Sequence, residues 1–156
     1  MRQRFRFEKL TAWQEARKLK QKIYRATKPF PREEMFALTS QVRRAVTSVS
    51  SNIAEGSGRN SDRDFAHFLE QAYGSLMETA SLLFLAFDEM YLSEAEVDSL
   101  LESANQLAGR IVSLNRSLAV NGSKTPFPRL TARGSASVQF STLDSRLSTG
   151  RRSARR

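Results

Sequence analysis

The sequence predicts an all-α fold: an antiparallel up-down four-helix bundle followed by a largely disordered basic tail. Three observations carry that expectation. Apolar residues recur at alternating four- and three-residue spacings in four successive segments. No segment sustains the period-2 alternation of a half-buried strand. The links between segments are short, which sets neighbouring helices antiparallel. A chain of 156 residues suits one domain with a modest core.

The first stripe is Ala12, Ala16, Leu19, Ile23, Ala26 and Phe30, flanked by Trp13 and Tyr24, and Pro29 and Pro31 stop the helix. The second helix is expected to begin just after Pro31, with Glu33 and Glu34 at its N-terminal dipole. Its stripe runs Met35, Thr39, Val42, Val46, Val49, Ile53. Gly56 and Gly58 follow where a helix takes left-handed C-cap residues. This G-x-G lacks the preceding strand and third glycine of a dinucleotide loop, and no Walker lysine follows, so it reads as a helix stop.

The third helix opens at Ser61 with Asp64 three residues on, a near capping box. Its stripe is Phe65, Leu69, Ala72, Leu76, Thr79, Leu83, Ala86 and Met90. Phe68, Leu82, Phe84, Leu85 and Phe87 widen it beyond one face. A helix so broadly apolar is buried on more than one side. These five residues are therefore assigned to a subunit interface, the alternative being a deep monomer core. The fourth helix starts at the Ser93–Glu96 capping box and continues through Val97, Leu100, Leu101, Ala104, Leu107, Ile111, Leu114 and Leu118.

The bundle is thus expected over residues 1–118. Residues 119–156 hold eleven Ser/Thr, no helical period and the ending RRSARR. Such a segment buries too little to repay its ordering entropy, apart from a short extended piece at 138–143.

Charge is unevenly spread. The formal total is +9, yet residues 1–32 carry eleven Lys/Arg against two acids, and residues 60–118 carry three against ten. That polarity suits either a polyanion partner or basic-to-acidic contacts between helices or subunits. The absence of cysteine removes disulfides, thiolate metal sites and thiol nucleophiles. The arginine-bearing N-terminus has no apolar core of a secretory signal, and the longest apolar run, Leu82–Phe87, is far short of a membrane span. A soluble, cytoplasmic protein is expected.

No catalytic, metal or cofactor site is expected. Glu55 has no partner carboxylate and is expected to pair with a base such as Arg59 or with a neighbouring subunit. His67 reads as a surface or interface residue. The acids Asp88, Glu89, Glu94, Glu96 and Asp98 lack the Glu-x-x-His signature of di-iron bundles.

The stretches FEKLTAWQEA (7–16), FPREEMFALTSQVRRAVTSVSSNIAEGSGR (30–59) and DFAHFLEQAYGSLMET (64–79) resemble the four-helix bundle proteins encoded in intervening sequences of bacterial large-subunit rRNA genes. The resemblance spans about residues 5–118. It implies an antiparallel bundle assembled into homopentameric rings, with no enzymatic activity. A related branch is the accessory variability determinant of diversity-generating retroelements, which binds a reverse transcriptase and nucleic acid through a basic surface. Ser50 stands where many relatives have proline, implying a straighter second helix, and the arginine-rich tail lies outside the family pattern.

The first helix sets Gln14, Arg17, Lys18, Gln21, Lys22, Arg25 and Lys28 opposite its apolar stripe, with only Glu15 to balance them. Arg2, Arg4, Arg6 and Lys9 extend this face. Arg43 and Arg44 either pair with acids of the later helices or contact phosphate, and Arg151, Arg152, Arg155 and Arg156 add charge in the tail. The expected function is a non-enzymatic homo-oligomer binding RNA or single-stranded DNA through these cations, with a reverse transcriptase as an implied partner. The alternative is a protein–protein assembly module.

Overall fold

The computed structural model describes residues 4–119. Arg2 and the expected tail, including its possible extended piece and its arginines, lie outside the described residues.

After a 3-10 turn at Arg6–Lys9 come α1 (Thr11–Ala26), a second 3-10 turn (Arg32–Phe36), α2 (Leu38–Ser57), α3 (Asp62–Asp88) and α4 (Glu94–Ala119). Helix α1 packs on α2 and α4, α3 packs on the same two, and the backbones of the diagonal pairs stay apart while their side chains share one core. This is the up-down four-helix bundle. The described residues contain no strand.

The core follows the predicted stripes. Leu19 and Ile23 of α1, Val42, Val46, Val49 and Ile53 of α2, Leu69, Leu76 and Leu83 of α3, and Leu107 and Ile111 of α4 are all fully buried. Truncating any of these leucines to alanine should cost about 2–5 kcal/mol, the lost transfer energy plus the cavity. The one polar residue in the α3 stripe, Thr79, is buried with its hydroxyl donating to the Ser75 carbonyl at 2.8 Å.

Helix ends depart from expectation in three places. Helix α2 starts at Leu38 rather than just after Pro31, because the intervening residues form the second 3-10 turn. Glu34 then caps the helix from outside, its Oε2 accepting from the Leu38 N–H at 3.1 Å while Oε1 accepts from the Tyr91 hydroxyl at 3.3 Å. Met35 is consequently exposed and leaves the core stripe. Burial and the neighbouring Glu34 carboxylate together hold the Tyr91 phenol above its usual range.

Gly56 is not a left-handed stop. It lies inside α2, which runs uninterrupted past Ser50 to Ser57, and the cap at Gly58 has right-handed geometry with φ −87°. A Cβ on Gly56 would sit 2.6 Å from the Phe68 Cβ and 2.7 Å from the Phe65 ring. The glycine serves close approach of α2 and α3.

Met90 is the third departure. Helix α3 ends at Asp88, and Met90 takes φ 59° with 90% exposure. The Tyr91 N–H donates to the Ala86 carbonyl at 2.9 Å and the Met90 N–H to the Phe87 carbonyl at 2.8 Å, which is the Schellman pattern. Both expected N-terminal boxes are present. Ser61 Oγ accepts from the Asp64 N–H at 3.0 Å, and the Ser93 N–H donates to Glu96 Oε2 at 2.9 Å.

Candidate nucleic-acid interface

Helix α1 buries Ala12, Ala16, Leu19 and Ile23 against the bundle, so its other face must meet solvent. Arg17, Lys18, Lys22, Arg25 and Lys28 are all exposed there. Lys18 meets Glu15 at 2.9 Å, an exposed pair worth about 0–1 kcal/mol and easily exchanged for another anion. Lys22 donates to Ser103 Oγ at 2.8 Å, and the Arg17 guanidinium lies 5.9 Å from the Trp13 ring centre.

The two halves of this face differ. Near its C-terminal end, Lys22 and Arg25 border a hollow shared with Ala95, Glu96 and Ser99 of α4, so a carboxylate stands among the cations. A pair of hydrogen bonds from Ser93 holds the Glu96 carboxyl below the usual carboxylate range, keeping that charge in place. Near the N-terminal end the groove is lined by Glu15, Gln106, Gly109 and Arg110. Arg110 adds a cation there, one that the charge pattern of the first helix does not reveal.

A hook formed by residues 4–10 completes this end. Glu8 Oε1 accepts the backbone N–H groups of Arg4 at 3.2 Å and Phe5 at 3.1 Å, which folds the segment back on itself. Gln14 Nε2 donates to the Glu8 carbonyl at 2.8 Å and fastens the turn to α1. At this end of the basic face Glu8 is thus held by backbone N–H groups, and Glu15 by its exposed pair with Lys18. Arg4 and Lys9 are exposed beside it.

Two expected binding arginines have structural partners instead. Arg6 donates to the Ser57 carbonyl at 3.3 Å and lies 5.8 Å from the Phe65 ring centre, tying the hook to the end of α2. Arg43 donates through Nε to Thr27 Oγ1 at 2.9 Å and through Nη2 to the Thr27 carbonyl at 3.2 Å, and its guanidinium rests 5.0 Å from the Tyr24 ring centre. Among the described residues it pairs with no acid. Its positive charge sits at the carbonyl end of α1, where the helix dipole favours it. Arg44 is exposed and shares a surface hollow with Gln41, Ser48 and Glu78.

Among the residues expected at a subunit interface, Leu82 is 7% exposed and belongs to the chain's own core, and Phe87 packs partly buried against it. Both lie on the sector of α3 that α2 and α4 cover. Phe68 is partly buried beneath Arg59, whose guanidinium lies 4.5 Å from its ring centre, while Arg59 also pairs with Glu55 as expected. Phe84 and Leu85 stay open at 47% and 49%, and exposed Met77 extends their patch. His67 is an exposed side chain, 3.0 Å from the Gln71 amide and 3.7 Å from Glu70. Among the described residues no group of His, Cys, Asp and Glu is placed to hold a metal ion, and no helix is long and apolar enough to cross a membrane.

The profile of the 23S rRNA-intervening sequence proteins matches residues 8–113. The chain belongs to that family. A solved structure of a protein with unknown function from the S23 ribosomal protein family of Bacteroides thetaiotaomicron is similar, with a TM-score of 0.61 and 20% identity. The match covers 68% of this chain and 99% of that one, and it shows a shared fold. No curated protein matches. The matched span takes in α1 and most of α4 and begins within the hook, at Glu8.

Proposed function

We propose that the protein is a non-enzymatic, homo-oligomeric accessory protein that binds RNA or single-stranded DNA through the outer face of α1. The observation that carries this reading is the N-terminal half of that face. Arg17, Arg4 and Lys9 are solvent-facing, the adjacent Glu8 carboxylate is held by backbone N–H groups, and Lys18 gives up only an exposed pair with Glu15 to reach phosphate. Cations so placed serve phosphate, with affinity that falls as salt rises and little sequence preference. Membership of a family named for an rRNA intervening sequence agrees with an RNA ligand. A ring of five copies, and a reverse transcriptase as the protein partner, are the finer parts of the proposal and come from the resemblance.

The test is a quadruple reversal, Arg17→Glu, Lys18→Glu, Lys22→Glu and Arg25→Glu, read by fluorescence anisotropy with labelled single-stranded RNA. None of the four is in the core, so the bundle should fold as before. Binding should weaken by about tenfold or more at moderate salt, with a shallower salt dependence. Wild-type protein that binds no RNA or DNA under these conditions would refute the proposal.

A second reading rests on Met77, Phe84 and Leu85, an apolar patch on the solvent side of α3. It makes the chain an assembly module whose cations meet acidic protein surfaces. Under that reading the quadruple reversal lowers the oligomer mass seen by light scattering, whereas the nucleic-acid reading leaves the mass unchanged.

A further inference from the structure

The hook does more than close one end of the bundle. Phe7 packs on Trp13 with ring centres 4.8 Å apart, and Phe5 stacks on Phe7 at 5.6 Å with the planes within 4° of parallel. The three rings run outward from the core, where Trp13 is anchored, to solvent, where Phe5 is 61% exposed. The hook and α1 border a hollow of about 700 Å³ lined by these rings together with Glu8, Gln14, Arg17, Lys18 and Gln21, the Glu8 carboxylate being taken up by the backbone N–H groups of Arg4 and Phe5. Burial does not explain Phe5. An exposed phenylalanine stacked on a second ring, beside two cations, has the two components of a single-strand site: a ring face for a base and charge for its phosphates.

From this geometry we infer that the hollow is a subsite for an unpaired nucleobase of a single-stranded nucleic acid. The base stacks on Phe5, and Arg17 and Lys18 hold the neighbouring phosphates. The inference rests on the nucleic-acid reading above and adds a preference that phosphate contacts alone do not give. A duplex keeps its base faces stacked inside, so it can use the cations but not the ring. Selectivity for single strands therefore resides in the hook, and affinity common to both forms resides in α1.

The experiment compares a short labelled oligouridylate with an RNA duplex of equal length, using the full chain and its Phe5→Ala and Phe5→Trp variants. Phe5→Ala should weaken oligouridylate binding by about tenfold, the scale of one lost base–aromatic stack, and leave duplex binding unchanged. The salt dependence should not change, because no phosphate contact is lost. Phe5→Trp should restore single-strand affinity. In wild-type protein oligouridylate should also quench the emission of Trp13, the chain's one tryptophan.

Equal binding by wild type and Phe5→Ala would overturn the inference, as would a parallel loss for duplex and single strand. A gain in affinity on removing the ring would also overturn it, since it would mean that another part of the chain or a second copy covers Phe5. If the quadruple reversal abolishes binding while Phe5→Ala does not, the phosphate reading stands and this inference fails. If the wild type binds neither probe, both fail.

Discussion

Helices α1 and α3 lie diagonally across the bundle, and their outer faces differ in kind. The outer face of α1 is a run of cations over a narrow core stripe of alanines, Leu19 and Ile23. That of α3 carries Met77, Phe84 and Leu85 among Gln71, Glu78 and Asp88, over a core stripe broad enough to include Leu82 beside Leu83. A surface that only kept the protein soluble would mix both signs on each helix. Here the signs are sorted by helix. Packing specifies the inner faces and leaves the outer ones free, so the fold itself does not require this sorting.

The sharpest way to break this comparison is to cut across α3. Leu82→Ala should lower stability by about 2–5 kcal/mol in denaturant melts, since the side chain is part of the core. Replacing Phe84 and Leu85 together with serine should leave stability within about 0.5 kcal/mol and lower the mass in light scattering. Equal effects in the two variants would erase the distinction between the inner and outer sides of α3.

On the α1 side, Arg43 and Arg17 form the matching contrast. Arg43→Ala should cost about 1–2 kcal/mol of stability, because it removes charge-assisted bonds to Thr27. Its effect on RNA affinity, measured at a temperature where both proteins are folded, should be negligible. Arg17→Ala should do the reverse. A smaller effect is expected at the turn after α3, where Met90→Gly should raise stability by about 0.5–1 kcal/mol by relieving a left-handed non-glycine residue.

The smallest effect concerns pH. The Glu96 carboxyl titrates below its usual value of 4.5 in the folded protein, so its stabilising contribution is present above that value and disappears as pH falls through the lowered one. Thermal melts of wild type and Glu96→Ala, separated at neutral pH, should converge on acidification.

The inner faces were legible from periodicity alone. The stripe on α2 from Thr39 to Ile53 is buried position by position, and so is the α3 stripe from Phe65 to Ala86. What periodicity could not supply was the distance between helices. Glycine meets two demands, a left-handed end and a close approach, and at Gly56 the sequence suggested the first while α3 imposes the second. Nor could the width of the apolar sector on α3 tell which flank its neighbours cover, so Leu82 and Phe84 read alike two residues apart. Arg43 was expected to meet acids of the later helices or phosphate, because its partner, Thr27, sits at the C-terminal cap of α1, where no charge pattern points. The hook had a faint signal in the alternation of arginine and phenylalanine through residues 4–7. Its stacking on Trp13 depends on a turn held by Glu8 that no periodicity announces.

The tight contact at Gly56 also bears on how the chain reaches its native state. Only four residues separate α2 from α3, and these two helices share the most extensive of the bundle's interfaces. Closing so short a connection costs little chain entropy, so this hairpin is the part that forms early. Truncations within it, such as Val49→Ala or Leu76→Ala, should slow refolding in stopped-flow experiments. Truncations on α1, such as Leu19→Ala, should mainly hasten unfolding. Helix α1, the one with the basic face, would be the last to dock and the first to leave.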